Sequence, residues 1–225
     1  MSEVTLSFDN GPSPQVTPKV LAELSERGLS AYFCLVGTQL ARGQEQVDIA
    51  KATLQAGHVL VNHSLTHKIP LGDEVSAFHC AQEIGAMDRV MNETLGHWES
   101  DATGDKWFRP FGRGGLLGPH IFSEAALCEF ERSDYSVLLW NSVPRDWENT
   151  QGWVEVALLQ IARQTHTVLV LHDLPTGAMT HLPRFLDAVH EAGHEFTLAL
   201  PDDAVPIKRG QAVWSRERLA ALVRS

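Results

Sequence analysis

Two histidines four positions apart are the first residues of this chain whose types and spacing suggest chemistry. His63 and His67 stand on either side of Ser64-Leu65-Thr66. Residues i and i+4 can point the same way from one helical turn or from a tight loop. Two neutral imidazole nitrogens can then bind one divalent metal ion. The spacing alone is weak evidence, because a single buried histidine is more often a hydrogen-bonded core residue than a ligand.

A second polar cluster follows the first apolar run of the chain. Residues 4–8 are rich in apolar side chains, and Asp9-Asn10-Gly11-Pro12 comes next. A strand that ends in an acid, an amide, Gly and Pro enters a sharp loop, and α/β enzymes place their chemistry at such strand ends. Asp9 and Asn10 would face opposite sides of a regular strand, so both reach one pocket only if the chain bends at Gly11-Pro12. Taken alone, the segment is more typical of an ordinary turn.

The elements that must position these residues alternate along the chain. Short apolar runs alternate with helical patterns in about seven β-α units, which predicts a mainly parallel sheet. Periodicity alone does not separate a closed barrel from an open, doubly wound sheet. The predicted strands are 4–8, 31–36, 58–62, 107–109, 135–140, 167–171 and 195–200, and the predicted helices are 14–27, 47–55, 73–95, 122–132, 153–164, 181–192 and 216–223.

Five segments, in a fixed order, carry a resemblance to a known family. They are residues 7–12 (SFDNGP), 63–67 (HSLTH), 108–112 (FRPFG), 146–147 (DW) and 169–172 (LVLH). In this order they resemble the motifs of the NodB-type polysaccharide deacetylases, carbohydrate esterase family 4. The resemblance covers residues 4 to about 200 and implies an α/β fold, a distorted (β/α) barrel of about seven parallel strands. All five motifs then fall at the carboxyl ends of strands.

The resemblance implies a metal-dependent hydrolase acting on carbon–nitrogen (non-peptide) bonds. Its substrate would be an N-acetylated, less often O-acetylated, sugar or oligosaccharide. Asn10, His63 and His67 would bind one divalent metal ion, Zn first, with Co, Mn or Ni as alternatives. The metal would polarise the amide carbonyl and activate the attacking water. Asp9 would act as the general base.

The resemblance also implies a proton donor and a set of positioning residues. Arg109 would pair with Asp9 and hold it ionised. His172 would protonate the leaving amine, with its tautomer fixed and its pKa raised by Asp146. The remaining implied roles are an oxyanion donor, the backbone N–H of Phe111, and a small apolar slot for the acetyl methyl, formed by Trp147 and Leu171.

Three positions depart from the family pattern. Asn10 stands where the family has an aspartate ligand, and a neutral amide oxygen predicts weaker or absent metal binding. The third motif lacks a second proline after Pro110, and Val143 replaces an acid that members often carry. Two alternatives therefore stay open. One is another C–N amide hydrolase on the same fold, including metal-independent forms. The other is a catalytically impaired carbohydrate-binding homologue.

Length and charge limit the other possibilities. A chain of 225 residues suits one α/β barrel, so we expect a single domain over residues 1–225. A net charge of −10 argues against nucleic acid as a partner. The longest apolar stretches, about seven residues, are too short to span a membrane. The start Met-Ser-Glu has no features of a signal peptide, so we expect a cytoplasmic protein with reduced Cys34, Cys80 and Cys128. The oligomeric state is not predicted.

Overall fold

Seven parallel strands form the main sheet of the computed structural model, which describes residues 2–96, 98 and 104–224. In chain order the strands are β1 (Glu3–Gly11), β2 (Tyr32–Leu35), β3 (Val59–Asn62), β4 (Lys106–Phe108), β5 (Phe122–Ser123), β6 (Tyr135–Val137), β7 (His166–His172), β8 (Glu195–Phe196), β9 (Ile207–Lys208), β10 (Gln211–Ala212) and β11 (Val223–Arg224). The order across the main sheet is β6-β4-β3-β2-β1-β7, and β8 also pairs with β1. Two small sheets, β10-β9 and β11-β5, lie outside it.

A single bridge closes the main sheet into a distorted barrel. After β6 the chain stays extended, and Leu138 N–H donates to Phe108 O at 2.9 Å. The same segment then reaches β7, where Ser142 forms an isolated parallel bridge with Leu169. Val170 N–H donates to Ser142 O at 3.0 Å. The predicted distorted barrel of about seven parallel strands is confirmed, with a narrow seam between β6 and β7.

Helices cover the outside of the sheet. They are α1 (Thr17–Glu26), α2 (Gly37–Leu40), α3 (Gln44–Gln55), α4 (Ala77–Cys80), α5 (Met87–Leu95), α6 (Glu124–Ser133), α7 (Trp153–Ile161), α8 (Leu182–Glu191) and α9 (Arg216–Ala220), with a π-helical stretch, Ala81–Ala86, between α4 and α5. Each long helix buries an apolar stripe, as α8 does with Phe185, Leu186 and Val189. No helix in the described part of the chain is long and apolar enough to cross a membrane.

Five predicted helices, 14–27, 47–55, 73–95, 153–164 and 216–223, were wrong by three or four residues at one end, and two of these differences have a visible cause. The helix predicted from Asp73 begins only at Ala77, because the Ser76 side chain accepts the His79 N–H and caps it there. The closing helix ends at Ala220 rather than Val223. The last residues instead pair as β11 with β5, a two-residue strand too short to show a periodic pattern.

The central strands bring distant polar residues to one end of the barrel. In the parallel pairing, Asp9 on β1 lies opposite His172 on β7 and opposite Cys34 on β2. Side chains alternate along a strand, so Ser7 and Asp9 point to the same side of β1. The buried apolar core lies around this sheet, with Phe8 stacked on Phe33 at 5.1 Å between ring centroids. The carboxyl ends of the strands are therefore the place for a polar site.

Candidate active site

A cavity of about 380 Å³ opens at the carboxyl ends of the strands. It brings together seven of the residues singled out from the sequence. Arg109 and Asp146 are fully buried behind it; Arg109 contacts Asp9 and His63, and Asp146 contacts His172. The predicted residues that line the cavity are Asp9, Asn10, His63, His67, Phe111, Trp147 and His172.

Asp9 is a buried carboxylate with a buried cationic partner. Its side chain receives the Arg109 Nη1 at 3.2 Å from Oδ1 and 3.4 Å from Oδ2. Burial alone would raise the pKa of Asp9, but the Arg109 charge, with smaller effects from His63 and His172, holds that pKa below its ordinary value. Asp9 is therefore ionised at neutral pH and can accept a proton.

Arg109 is held rigidly because each part of its guanidinium has a partner. Nε donates to Leu138 O at 2.8 Å, and Nη2 donates to Ser7 Oγ at 3.2 Å. Its backbone N–H donates to Asn62 O at 2.9 Å, which continues the β3–β4 pairing. The guanidinium carbon also lies 5.5 Å from the centre of the Trp140 ring. These contacts aim Nη1 at Asp9.

His63 and His67 follow β3 in a tight loop, with ring centroids 4.7 Å apart. His63 Nδ1 lies 2.8 Å from Arg109 O, and a carbonyl oxygen only accepts, so Nδ1 carries the proton. The Nε2 lone pair then faces the cavity side, 3.5 Å from Asp9 Oδ2. His67 stacks on Phe111 at 4.0 Å between centroids.

Both imidazoles are neutral at physiological pH. Burial lowers the pKa of His63 and outweighs the negative charge of Asp9, which acts to raise that pKa. Burial, and then the neighbouring His63, lower the pKa of His67 to about 3. Neutral imidazole with its other nitrogen bonded to a carbonyl is the form in which histidine binds metals.

Asn10 supplies a third donor atom to the same cavity. Its backbone is left-handed, with φ at 76°, which turns the side chain out of the strand alternation. Asn10 Oδ1 is buried and has no hydrogen-bond partner. An unsatisfied buried oxygen costs about 1–3 kcal/mol unless a ligand binds it. In the described ranges no three His, Cys, Asp or Glu side chains are placed to share a metal, so Asn10 is the candidate third ligand beside the two histidines. The donor set, one amide oxygen and two neutral imidazoles, fits a divalent ion.

His172 and Asp146 form a second buried pair. Asp146 Oδ1 accepts from His172 Nδ1 at 2.8 Å, and Asp146 Oδ2 accepts from the His172 backbone N–H at 3.0 Å. Trp147 packs edge-on against the imidazole at 4.6 Å. Burial alone would lower the pKa of His172, but the hydrogen bond and charge of Asp146 raise it above its ordinary value. His172 is therefore suited to donate a proton.

Comparison with known proteins now identifies the family. Residues 2–111 match the family model described as polysaccharide deacetylase. Residues 2–111 of the chain therefore belong to the polysaccharide deacetylase family. The chain is 27% identical over 180 residues to a peptidoglycan-N-acetylglucosamine deacetylase of Bacillus cereus. The aligned region covers 76% of this chain and 72% of that protein.

Solved structures show the polysaccharide deacetylase fold in two forms. A family 4 acetyl xylan esterase from Clostridium thermocellum, in complex with a cobalt ion, matches with a TM-score of 0.67 and 21% identity over 87% of each chain. A CE4 family pseudoenzyme from Bacillus anthracis matches with a TM-score of 0.66 and 18% identity over 87% of this chain and 63% of that one. The fold is therefore shared by an esterase and by a pseudoenzyme.

One residue predicted for the site does not reach the cavity. Leu171 was expected to line the acetyl slot, but its side chain is fully buried in the core. Neighbours on a strand point to opposite sides, so Leu171 faces away where His172 faces the cavity. Val170, on the same side as His172, and Leu174 line the cavity instead. The alternation around His172 was the signal that would have identified Val170.

Other site residues had no sequence signal. Cys34 is buried beside Asp9 and hydrogen-bonds its carboxylate, a contact set by the register of β1 and β2. Asp173 is also buried, accepts the Thr17 hydroxyl, and lies directly over Gly11. A Cβ placed on Gly11 would meet the Asp173 carboxylate, so this turn requires glycine.

Proposed function

We propose that the protein is a metal-dependent hydrolase that removes an acetyl group from an N-acetylated sugar or oligosaccharide. The observation that carries this proposal is that the pKa values of two groups at one cavity are shifted in opposite directions. Asp9 has a lowered pKa beside Arg109, and His172 has a raised pKa beside Asp146. Titratable pairs whose pKa values are pushed apart are typical acid–base assignments. The name of the Bacillus cereus relative supports an N-acetylated sugar as the substrate.

In amide hydrolysis this pair would move two protons, one from water to Asp9 and one from His172 to the leaving amine. Asp9 takes the proton of the attacking water, and Arg109 keeps the carboxylate oriented for that step. His172 donates its proton to the amine nitrogen as the C–N bond breaks, and Asp146 stabilises the imidazolium before this transfer. The backbone N–H of Phe111, whose side chain lines the cavity, is the candidate donor to the oxyanion.

The candidate metal ligands are Asn10, His63 and His67. A divalent ion held there supplies Lewis acidity, which polarises the amide carbonyl and makes water more acidic. The chain contributes the neutral state of both imidazoles and the proton on His63 Nδ1, fixed by Arg109 O. Zn is the ion we expect first, with Co, Mn and Ni as alternatives.

Acetate release from short N-acetylglucosamine oligomers tests the proposal directly. We expect turnover in the presence of added Zn²⁺ or Co²⁺ and its loss with a chelator. Asp9→Ala should lower kcat by about 10²–10⁴, the usual contribution of a general base. Asp48→Ala, which changes an exposed carboxylate on α3, is the matched control and should leave turnover unchanged. Turnover that survives a chelator would favour another, metal-independent C–N amide hydrolase.

A second candidate function is carbohydrate binding without catalysis. Asn10 is neutral where a metal site gains from a carboxylate, and the pseudoenzyme from Bacillus anthracis has the same fold. This candidate predicts sugar binding with neither acetate release nor bound metal. Calorimetric binding of the same oligomers, measured beside the acetate assay, separates the two functions.

A further inference from the structure

The loop that carries His63 and His67 has an unfavourable backbone conformation. Ser64 and His67 are left-handed, with φ at 72° and 56°, although neither is a glycine. Such residues are strained and keep this conformation only where the surrounding structure holds them. One contact lies inside the loop, where Ser64 Oγ accepts the His67 N–H at 3.0 Å. Other contacts come from outside the loop, and several of them come from one short stretch of helix.

That stretch is the π-helical segment Ala81–Ala86, between α4 and α5. It buries three residues in a row, Glu83, Ile84 and Gly85, whereas a regular surface helix buries a stripe of every third or fourth residue. Helix α6 covers one side, because a Cβ placed on Gly85 would lie 2.9 Å from Glu129 Oε1. The histidine loop covers another side. Single π-helical turns inside α-helices are rare and are frequently found at functional sites.

Glu83 uses its whole carboxylate on the histidine loop. Oε2 accepts the Thr66 backbone N–H at 2.9 Å, and Oε1 accepts the Thr66 hydroxyl at 2.7 Å. The backbone oxygen of Glu83 accepts the Leu65 N–H at 2.9 Å. Glu83 is only 4% exposed, so water competes little for these bonds. Hydrogen bonds to a carboxylate are roughly twice as strong as neutral ones, so this residue attaches the middle of the loop firmly to the helix.

The next residue of the π-helical segment holds the start of the loop. Ile84 O accepts from Asn62 Nδ2 at 3.1 Å, and Asn62 Oδ1 accepts the Ser64 N–H at 3.0 Å. Asn62 comes directly before His63 in the chain. Two adjacent helical residues therefore fix the backbone on both sides of His63 and directly before His67.

We infer that Glu83 is a positioning residue for the two candidate histidine ligands. Its contacts fix Leu65 and Thr66, the residues that directly precede His67, and so fix His67 relative to His63, with ring centroids 4.7 Å apart. Glu83 does not line the active-site cavity, so it acts through the loop and not on a substrate. The consequence for metal binding rests on the proposed function, whereas the support of the loop does not.

Cobalt binding measures this consequence without any turnover. Partners that orient a ligating histidine typically contribute 10–100-fold to metal affinity, so Glu83→Ala should weaken Co²⁺ binding by about 10–100-fold in titration calorimetry. The visible absorption of bound Co²⁺ should also change, because it reports the coordination geometry. Glu83→Gln should bind Co²⁺ more tightly than Glu83→Ala, since its amide can accept the Thr66 N–H and donate to the Thr66 hydroxyl. Unchanged affinity in Glu83→Ala overturns the inference.

Glu129→Ala is the matched control for these variants. Glu129 is also a buried glutamate, at 7% exposure, but its carboxylate bonds Arg132 and Ser133 on its own helix. It should bind Co²⁺ as the unsubstituted protein does, and equal losses in Glu129→Ala and Glu83→Ala contradict the inference. Thermal unfolding checks that each variant is folded. If Glu83→Ala does not fold, the milder Thr66→Val, which removes one bond to the carboxylate, must weaken Co²⁺ binding for the inference to stand.

Amide exchange in the metal-free protein separates this inference from the proposed function. Glu83→Ala removes the acceptor of the Thr66 N–H, whereas the Leu65 and His67 N–H groups donate to a backbone oxygen and a serine hydroxyl that both remain. Exchange at Leu65 and His67 should nevertheless become about 10-fold faster or more, while Val59 in β3 keeps its rate. Faster exchange at Thr66 alone overturns the inference, even when the protein binds metal. If the unsubstituted protein binds no Co²⁺, the metal site of the proposed function fails, and exchange at Leu65 and His67 decides the inference.

Discussion

Arg109 Nη1 lies 3.2 Å from Asp9 Oδ1, and the two residues are 100 positions apart in the chain. Both side chains are buried, at 0% and 7% relative exposure. The same guanidinium bonds Leu138 O and Ser7 Oγ, so β1, β4 and the segment after β6 meet at one side chain. The residue that lowers the pKa of the proposed base therefore also holds three segments of the barrel together.

Loss of this cation should destabilise the fold as well as the chemistry. Arg109→Gln leaves Asp9 as a buried charge without its partner, and breaking a buried ion pair costs about 3–5 kcal/mol. We expect a clear fall in the urea midpoint of unfolding. Arg184→Gln, in an exposed pair with Glu155, should leave the midpoint nearly unchanged. Equal midpoints for the two variants would show that the Arg109 contacts contribute little to stability.

The pH profile should report the Asp146–His172 pair. Because Asp146 raises the pKa of His172, the proton donor stays charged above the ordinary histidine range, and activity falls as pH rises through that pKa. Asp146→Asn removes the charge, so the alkaline limb of kcat against pH should move to lower pH. We expect kcat at neutral pH to fall by about 10²-fold or more. Asp203→Asn, at a carboxylate that is 76% exposed, is the control. An alkaline limb at the same pH in Asp146→Asn would assign the limb to another group.

Metal content should respond to position 10. Asn10→Asp replaces a neutral donor with a carboxylate, so two neutral imidazoles and one anion would hold the ion more tightly. After equilibration with Zn²⁺ and desalting, elemental analysis should find more metal per chain than in the unsubstituted protein. His63→Ala in the Asn10→Asp background should remove that gain. Unchanged metal content in Asn10→Asp would mean that position 10 is not a ligand.

A histidine outside the site should contribute a loss of stability in mild acid. His58 is buried, accepts the Ala31 N–H at 3.2 Å and packs on Phe33. Burial lowers its pKa from 6.5 to about 4, so the unfolded chain binds a proton that the native chain does not between those values. The free energy of unfolding therefore decreases as pH falls from 6.5 to 4, by about 3 kcal/mol from this group.

A substitution isolates this histidine from other titrating groups. Burial raises the pKa of Asp173 to about 7, which favours the native state as pH falls and opposes the effect of His58. Subtracting the unfolding free energy of His58→Gln from that of the unsubstituted protein cancels the contribution of Asp173, which both proteins share. This difference should shrink by about 3 kcal/mol between pH 7.5 and pH 4. His190→Gln, an exposed substitution, should show no such trend. A pH-independent difference for His58→Gln would contradict the prediction.

The sequence predicted the members of the site better than its walls. Asp9, His63 and His172 each come directly after a predicted strand, and parallel strands end at the same edge of a sheet, so strand assignment alone brings them near one another. The contact of Arg145 with Gly114 and the packing of Val143 on Gly115 depend on how two loops meet, which no local pattern encodes. Leu171 was misplaced because a motif names neighbours in sequence, whereas a strand sends neighbours to opposite faces.

The single bridge between Ser142 and Leu169 gives the barrel a seam, and the segment that forms this seam holds both proton-transfer groups in place. Leu138, whose carbonyl anchors Arg109, comes just before the bridge, and Asp146, which anchors His172, comes just after it. Transient opening of this seam would detach the supports of both proton-transfer groups while most of the sheet stayed paired. Reversible loss of activity ahead of global melting is the expected signature of such an architecture, with early amide exchange at Val170 as its marker.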